Sequence, residues 1–231
     1  MAAGKVSTGS VHPSLCQMAS TERLPSSGRV EAFSDGVFAI AITLLVLDLR
    51  VPEHEPGELL PSLGSIWPSY LAYIAAFLSI GVVWLNHHAV FSRVQSVDRG
   101  VLGTNLLLLL LTSVLPFPTS VLADAIRAGS LVDQRVAIGL YGLVSAATTV
   151  PWLLLYHHLH ATPELARDGT RPGYFGAQRT RAVAGMVGFL LAIVLGVTLS
   201  PLVGLALFVA LPLFYAITSE GALPRASTPA K

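Results

Sequence analysis

The sequence predicts an all-α, polytopic membrane protein that crosses the bilayer six times, with both termini cytoplasmic. Three observations predict it. Apolar residues make up 53% of the 231 and charged residues only 12%, with a mean hydropathy of +0.67; a soluble globule carries about 25% charge. Six stretches are long and apolar enough to span a hydrocarbon core, which takes about 20 residues per helix. Once those six are threaded, Lys and Arg fall mostly on one side.

The expected spans run 30–51, 66–91, 101–122, 136–158, 180–199 and 201–217. The third contains the block Leu106–Leu111, and the last two are separated by Ser200-Pro201, a turn at which proline starts the next helix. With the N-terminus inside, the inner side receives Lys5, Arg23, Arg29, Arg93, Arg99, Arg167, Arg171, Arg179, Arg181, Arg225 and Lys231. The outer side receives Arg50, Arg127 and Arg135, a split of eleven against three that an odd helix count would scramble. Residues 1–28 are Ser-, Gly- and Pro-rich without an apolar stretch and read as a disordered cytoplasmic tail, as do 220–231; residues 29–219 form the membrane domain. A net charge of +1 suggests no nucleic-acid partner, and the single Cys16 excludes an internal disulfide framework. Loops are too short for a soluble domain, so function has to reside in the helices.

The first helix is unlike a lipid-facing span. Twelve uncharged residues separate Asp35 from Asp48, about 18 Å of helix at 1.5 Å per residue, against a hydrocarbon core about 30 Å thick. Ser34, Asp35 and Asp48 therefore lie at or within the membrane boundary, where ionisable groups face protein or water. Phe33, Val37, Ile40, Leu44 and Leu47 share one face, with Gly36 and Thr43 at its edge, and Asp35 points roughly opposite. Small Gly36, Ala39 and Ala41 permit close approach of a neighbouring helix. Two readings fit the stripe: ordinary packing, or a narrow apolar conduit formed where copies of this helix meet around a symmetry axis. Pattern leaves both open. The acidic first outer loop, with Glu53, Glu55 and Glu58, suits either a cation-concentrating mouth or plain loop solubility.

The run Arg29-x-x-x-Phe33-Ser34-Asp35 resembles the signature of the transmembrane protein 175 family of potassium channels. Ile40, Thr43, Leu44 and Leu47 follow at the family's spacing; Trp84-Leu-Asn-His87-His88 with Phe91, Asn105-Leu106 and Pro116-Phe117 extend the likeness. It covers about 29–217. The resemblance implies a homotetramer of six-helix subunits in a bacterial plasma membrane, conducting potassium in preference to sodium along a path lined by the first helices. Ile40 would form the narrowest apolar ring, Leu44 and Leu47 would continue its wall, and Thr43 would add a ring of hydroxyls. Many bacterial relatives carry Leu where this chain has Ile40. The usual carbonyl filter is absent, since no Thr-Val-Gly-Tyr-Gly run occurs. Arg29, Phe33, Ser34, Asp35, Trp84, His87, His88 and Asn105 would brace the pore helix, because buried charge requires partners. No cofactor is implied, and no metal beyond potassium passing through the pore.

Two rivals remain. Asp35 near histidines would suit a proton-coupled transporter or exchanger, although neither a broken helix with a midplane site nor an obvious internal duplication is seen. His87-His88 and His157-His158-x-His160 would suit a membrane metalloenzyme, but they are few and lack a companion carboxylate cluster.

Overall fold

The computed structural model describes residues 26–218; the expected tails at 1–25 and 219–231 lie outside the described residues. Six helical runs long and apolar enough to cross a membrane occur, and no strand forms among the described residues beyond two isolated bridges.

Helix α1 (Ser27–Leu44) tightens into a 3-10 turn at Leu45–Asp48. Ser27 and Gly28, expected in the tail, instead open this helix. Ser26 is extended and bridges Ser96, which seats a buried Ser27 against the bundle. A short α2 (Leu59–Ser65), not expected, precedes α3 (Trp67–Phe91). The third span is α4 (Arg99–Val114) plus α5 (Pro116–Ala128); the fourth is α6 (Leu131–Ala147) plus α7 (Thr149–Ala161). Both spans are longer than expected and interrupted by one residue, Leu115 and Thr148. Pro116, Pro118 and Pro151 remove amide donors near these points, yet both residues keep right-handed helical dihedrals. These are interruptions of the hydrogen-bond ladder, not the unwound segments of a transporter site.

Helices α8 (Tyr174–Thr198) and α9 (Pro201–Thr218) form the closing hairpin. The expected start at Thr180 is corrected to Tyr174: Gly173 supplies a left-handed turn (φ 78°), and Tyr174 and Phe175 are buried in the core rather than lying in a polar loop. Arg181 donates to Thr218 O and Thr218 Oγ1, both at 2.9 Å, so the start of α8 and the end of α9 share one end of the bundle.

Alternation of the six spans gathers Arg29, Arg93, Arg99, Arg167, Arg171, Arg179 and Arg181 at that same end. Two apolar clusters hold the bundle. One surrounds Phe38, Ile80, Phe91, Leu108, Leu155 and Tyr174 toward the arginine-rich end. The other surrounds Leu122, Ile138, Tyr141, Leu205 and Phe208 toward the opposite end. Glycines close the second cluster: a Cβ on Gly196 would lie 3.0 Å from Gly204 Cα and 2.6 Å from Ile138 Cγ2. Such contact between small residues is how membrane helices gain packing without a hydrophobic driving force between them.

Candidate functional site

Helix α1 has two faces of opposite chemistry. Ser34, Phe38, Ala41 and Leu45 follow a three-four spacing and are fully buried against α3 and α4. On the other side Phe33, Gly36, Ile40, Thr43, Leu44 and Leu47 are exposed, Ile40 at 61% and Leu47 at 65%. Among the described residues, nothing beyond the adjoining turns of α1 itself comes within 4 Å of where a Cβ on Gly36 would stand. Val37, expected on the open stripe, packs against the core cluster, and Ala41 is buried too. Seven residues on, the open face passes from Phe33 to Ile40 and then to Leu47, the drift of a straight helix carrying Val37 off the edge.

The buried face is tied down by hydrogen bonds. Ser34 Oγ donates to Val30 O at 2.8 Å, so its lone pairs are free to accept from Asn105 Nδ2 at 3.0 Å. Asn105 Oδ1 then accepts from His87 Nε2 at 3.0 Å, which assigns His87 the tautomer with Nε2–H. His87 Nδ1 is buried without a partner among the described residues. The imidazole stacks on Phe91 (4.1 Å between centroids) and meets the edge of Phe38 (5.2 Å). Ser34, His87 and Asn105 thus weld α1, α3 and α4 at one level, all at 1% exposure or less.

A second set flanks it. Trp84 Nε1 donates to Asp35 Oδ1 at 2.9 Å, and one turn along both helices His88 Nδ1 bonds Glu31 Oε1 at 3.0 Å. Trp84 and His88 rings are stacked at 6.3 Å. Glu31 was missed by sequence reasoning, although the signal was present: Glu31 and Asp35 are four apart, as are Trp84 and His88, so two facing helices pair at both rungs. Arg29 lies outside this network, exposed and without a hydrogen bond or ion pair among the described residues. Phe33, expected to brace the helix, is on the open stripe and exposed.

Thr43 Oγ1 donates to carbonyls of its own helix, Ile40 O at 2.9 Å or Ala39 O at 3.0 Å. With its proton committed, the hydroxyl presents lone pairs outward, which suits a cation.

Among the described residues no three His, Cys, Asp or Glu side chains gather as metal ligands. His158 Nε2 instead bonds Asp98 Oδ2 at 2.7 Å, while Asp98 Oδ1 caps α4 by accepting from Val101 N at 2.8 Å. Burial alone would raise the Asp98 carboxyl, but the Val101 amide and His158 outweigh it and hold it below the usual carboxylate range. His157 and His160 are exposed.

The family model described as endosomal/lysosomal potassium channel TMEM175 matches residues 29–116. A potassium channel of Streptomyces collinus is 43% identical over 205 residues, covering 86% of this chain and 98% of that one. The human endosomal/lysosomal proton channel TMEM175 is 39% identical over 145 residues, 58% of this chain but 29% of the larger protein. Among solved structures, the crystal structure of a lysosomal potassium-selective channel TMEM175 homolog from Chamaesiphon minutus superposes with a TM-score of 0.73 at 36% identity. That match covers 84% of this chain and 98% of that one.

Proposed function

The chain belongs to the TMEM175 family of potassium channels, and from that premise we propose that its α1 helices meet around a central axis and line a potassium-conducting path. The reading is a homotetramer in a bacterial plasma membrane, with the arginine-rich end in the cytoplasm. It is carried by one observation: the stripe Ile40, Thr43, Leu44, Leu47 is left open by the subunit while the reverse face of the same helix is fixed by Asn105, His87 and Trp84.

Exposure by itself does not separate a pore face from a lipid face, since α8 is as bare as α1. Chemistry separates them. The uncharged stretch of α1 is too short to cross the core, so its carboxylate-bearing ends need water and protein around them. A helix packed at the centre of an assembly satisfies that need; a helix at its lipid rim does not.

Along such an axis, Ile40 from each subunit forms an apolar ring. Dehydration there disfavours passage of any ion and disfavours the more strongly hydrated sodium more than potassium. Thr43 oxygens, their protons held by the backbone, offset part of that loss one turn away. The brace keeps the ring's radius from drifting, because α1 cannot tilt without breaking the welded level at Ser34. Glu53, Glu55 and Glu58, exposed at the end opposite the arginine-rich one, raise the local cation concentration at the entrance.

The test is flux from potassium-loaded proteoliposomes containing the full chain. A passive leak, larger for potassium than for sodium and indifferent to an imposed proton gradient, supports the reading. Saturable exchange that requires a proton gradient supports the coupled transporter instead.

A further inference from the structure

At the arginine-rich end, two loops are stitched into one platform. Gln95 N donates to Leu165 O and Arg167 N donates to Arg93 O, each at 2.8 Å, and Val94 and Ala166 form an antiparallel bridge. This ladder joins the chain leaving α3 to the chain entering α8. Gly169 (φ 84°) and Gly173 (φ 78°) turn the second loop back on itself. The result is a crevice of about 200 Å³ lined by Arg93, Arg167 and Arg171, with Ser92, Asp168, Thr170 and Tyr174 completing the wall.

The arginines differ in freedom. Arg93 lies over the Tyr174 ring at 4.5 Å and bonds Ala89 O. Arg167 and Arg171 are exposed, and their backbones are pinned by the ladder and by the turn hydrogen bonds Thr170 N to Arg167 O and Tyr174 N to Arg171 O, both 3.1 Å. Backbone bonds that hold like charges beside one crevice work against their repulsion, which an anion would relieve. A guanidinium fork matches two phosphate oxygens at once, and the crevice has the hydroxyls of Ser92 and Thr170 beside it. It also lies where two helices long and apolar enough to cross a membrane end and begin, α3 at Phe91 and α8 at Tyr174.

We propose that this crevice is a binding site for a phosphate-bearing anion, held by Arg167 and Arg171 beside the Arg93–Tyr174 pair. Two sources carry that chemistry: the headgroup of an anionic phospholipid, and free phosphate in solution. None of the residues that line the crevice belongs to α1.

The experiment uses the full-length protein, wild type and Arg167→Gln/Arg171→Gln, with Arg179→Gln as control for a same-end arginine outside the crevice. Native mass spectrometry measures retention of phosphatidylglycerol against phosphatidylcholine. Thermal unfolding measures protection by inorganic phosphate against chloride at equal ionic strength. At roughly a factor of five per arginine, the double variant loses about twenty-five-fold in affinity. Retention of phosphatidylglycerol by wild type and the control but not the double variant identifies a lipid headgroup. Phosphate protection with the same dependence identifies the free anion. The proposal is overturned if neither probe binds, or if the double variant and Arg179→Gln lose the same amount, which would make this only a diffuse positive surface.

Discussion

Trp84 and Asp35 meet across 2.9 Å, indole N–H to carboxylate, from two helices that enter the same end of the bundle in opposite directions. Phenylalanine at Trp84 keeps a ring on His88 but removes the donor. Trp84→Phe is therefore expected to destabilise the subunit by about 1 kcal/mol, the cost of an acceptor left without its partner. Asp35→Ala removes the other half and is expected to reduce recovery of the assembled oligomer on size exclusion, whereas Asp35→Asn, which keeps an acceptor oxygen, recovers most of it.

Asn105 is the centre of the welded level, giving to Ser34 and receiving from His87. Asn105→Leu strands both and is expected to cost about 3 kcal/mol, read as a lowered unfolding midpoint in detergent. Adding Ser34→Ala and His87→Phe to the same chain removes the stranded groups, so the triple variant is expected to be more stable than the single one. A triple variant that is less stable by the sum of three penalties would contradict the network.

The Asp98–His158 bond carries a pH signature. Because the folded state holds Asp98 below the usual carboxylate range, its contribution is complete above that range and is lost as pH falls through the lowered value. Unfolding midpoints are expected to drop on acidification below about pH 4. Asp98→Asn keeps an oxygen for the α4 cap and is expected to flatten that acid limb while lowering the neutral-pH midpoint slightly.

Close approach at Gly196 and Gly204 gives a packing prediction. Gly196→Leu drives a side chain into Gly204 Cα and Ile138, and is expected to cost 1–3 kcal/mol or more through separation of α8 from α9. Gly28→Ala, with no described residue outside the adjoining turns of α1 within 4 Å of the new atom, serves as the control and leaves the midpoint unlowered.

Much of this architecture is legible from residue order, and the exceptions have physical reasons. Six spans follow from hydropathy because a bilayer imposes a minimum apolar length on every helix that crosses it. Their ends do not: Tyr174 and Phe175 are buried by tertiary contact, and composition around them reads as loop. The open face of α1 is visible as a stripe, but the position of Val37 depends on neighbours rather than on spacing alone. That Asp35 takes a partner from Trp84, His87, His88 or Asn105 follows from its place in a membrane helix, but the choice of Trp84 depends on how α1 and α3 lie side by side. Glu31 stands near a helix start, where a carboxylate is as common on a solvated face as in a contact, so its pairing with His88 depends on the neighbouring helix. The crevice at Arg167 and Arg171 depends on two loops about 70 residues apart in the chain, and no local pattern announces it.

The central claim is that Ile40 stands at the narrowest apolar ring of a shared conduit. Single-channel recording in planar bilayers under potassium on one side and sodium on the other tests it most directly. Wild type is expected to reverse at a potential favouring potassium, and Ile40→Asn is expected to raise the conductance and shift the reversal toward zero as the ring is wetted. Unaltered conductance and reversal potential in Ile40→Asn, with the protein still assembled, would contradict the claim.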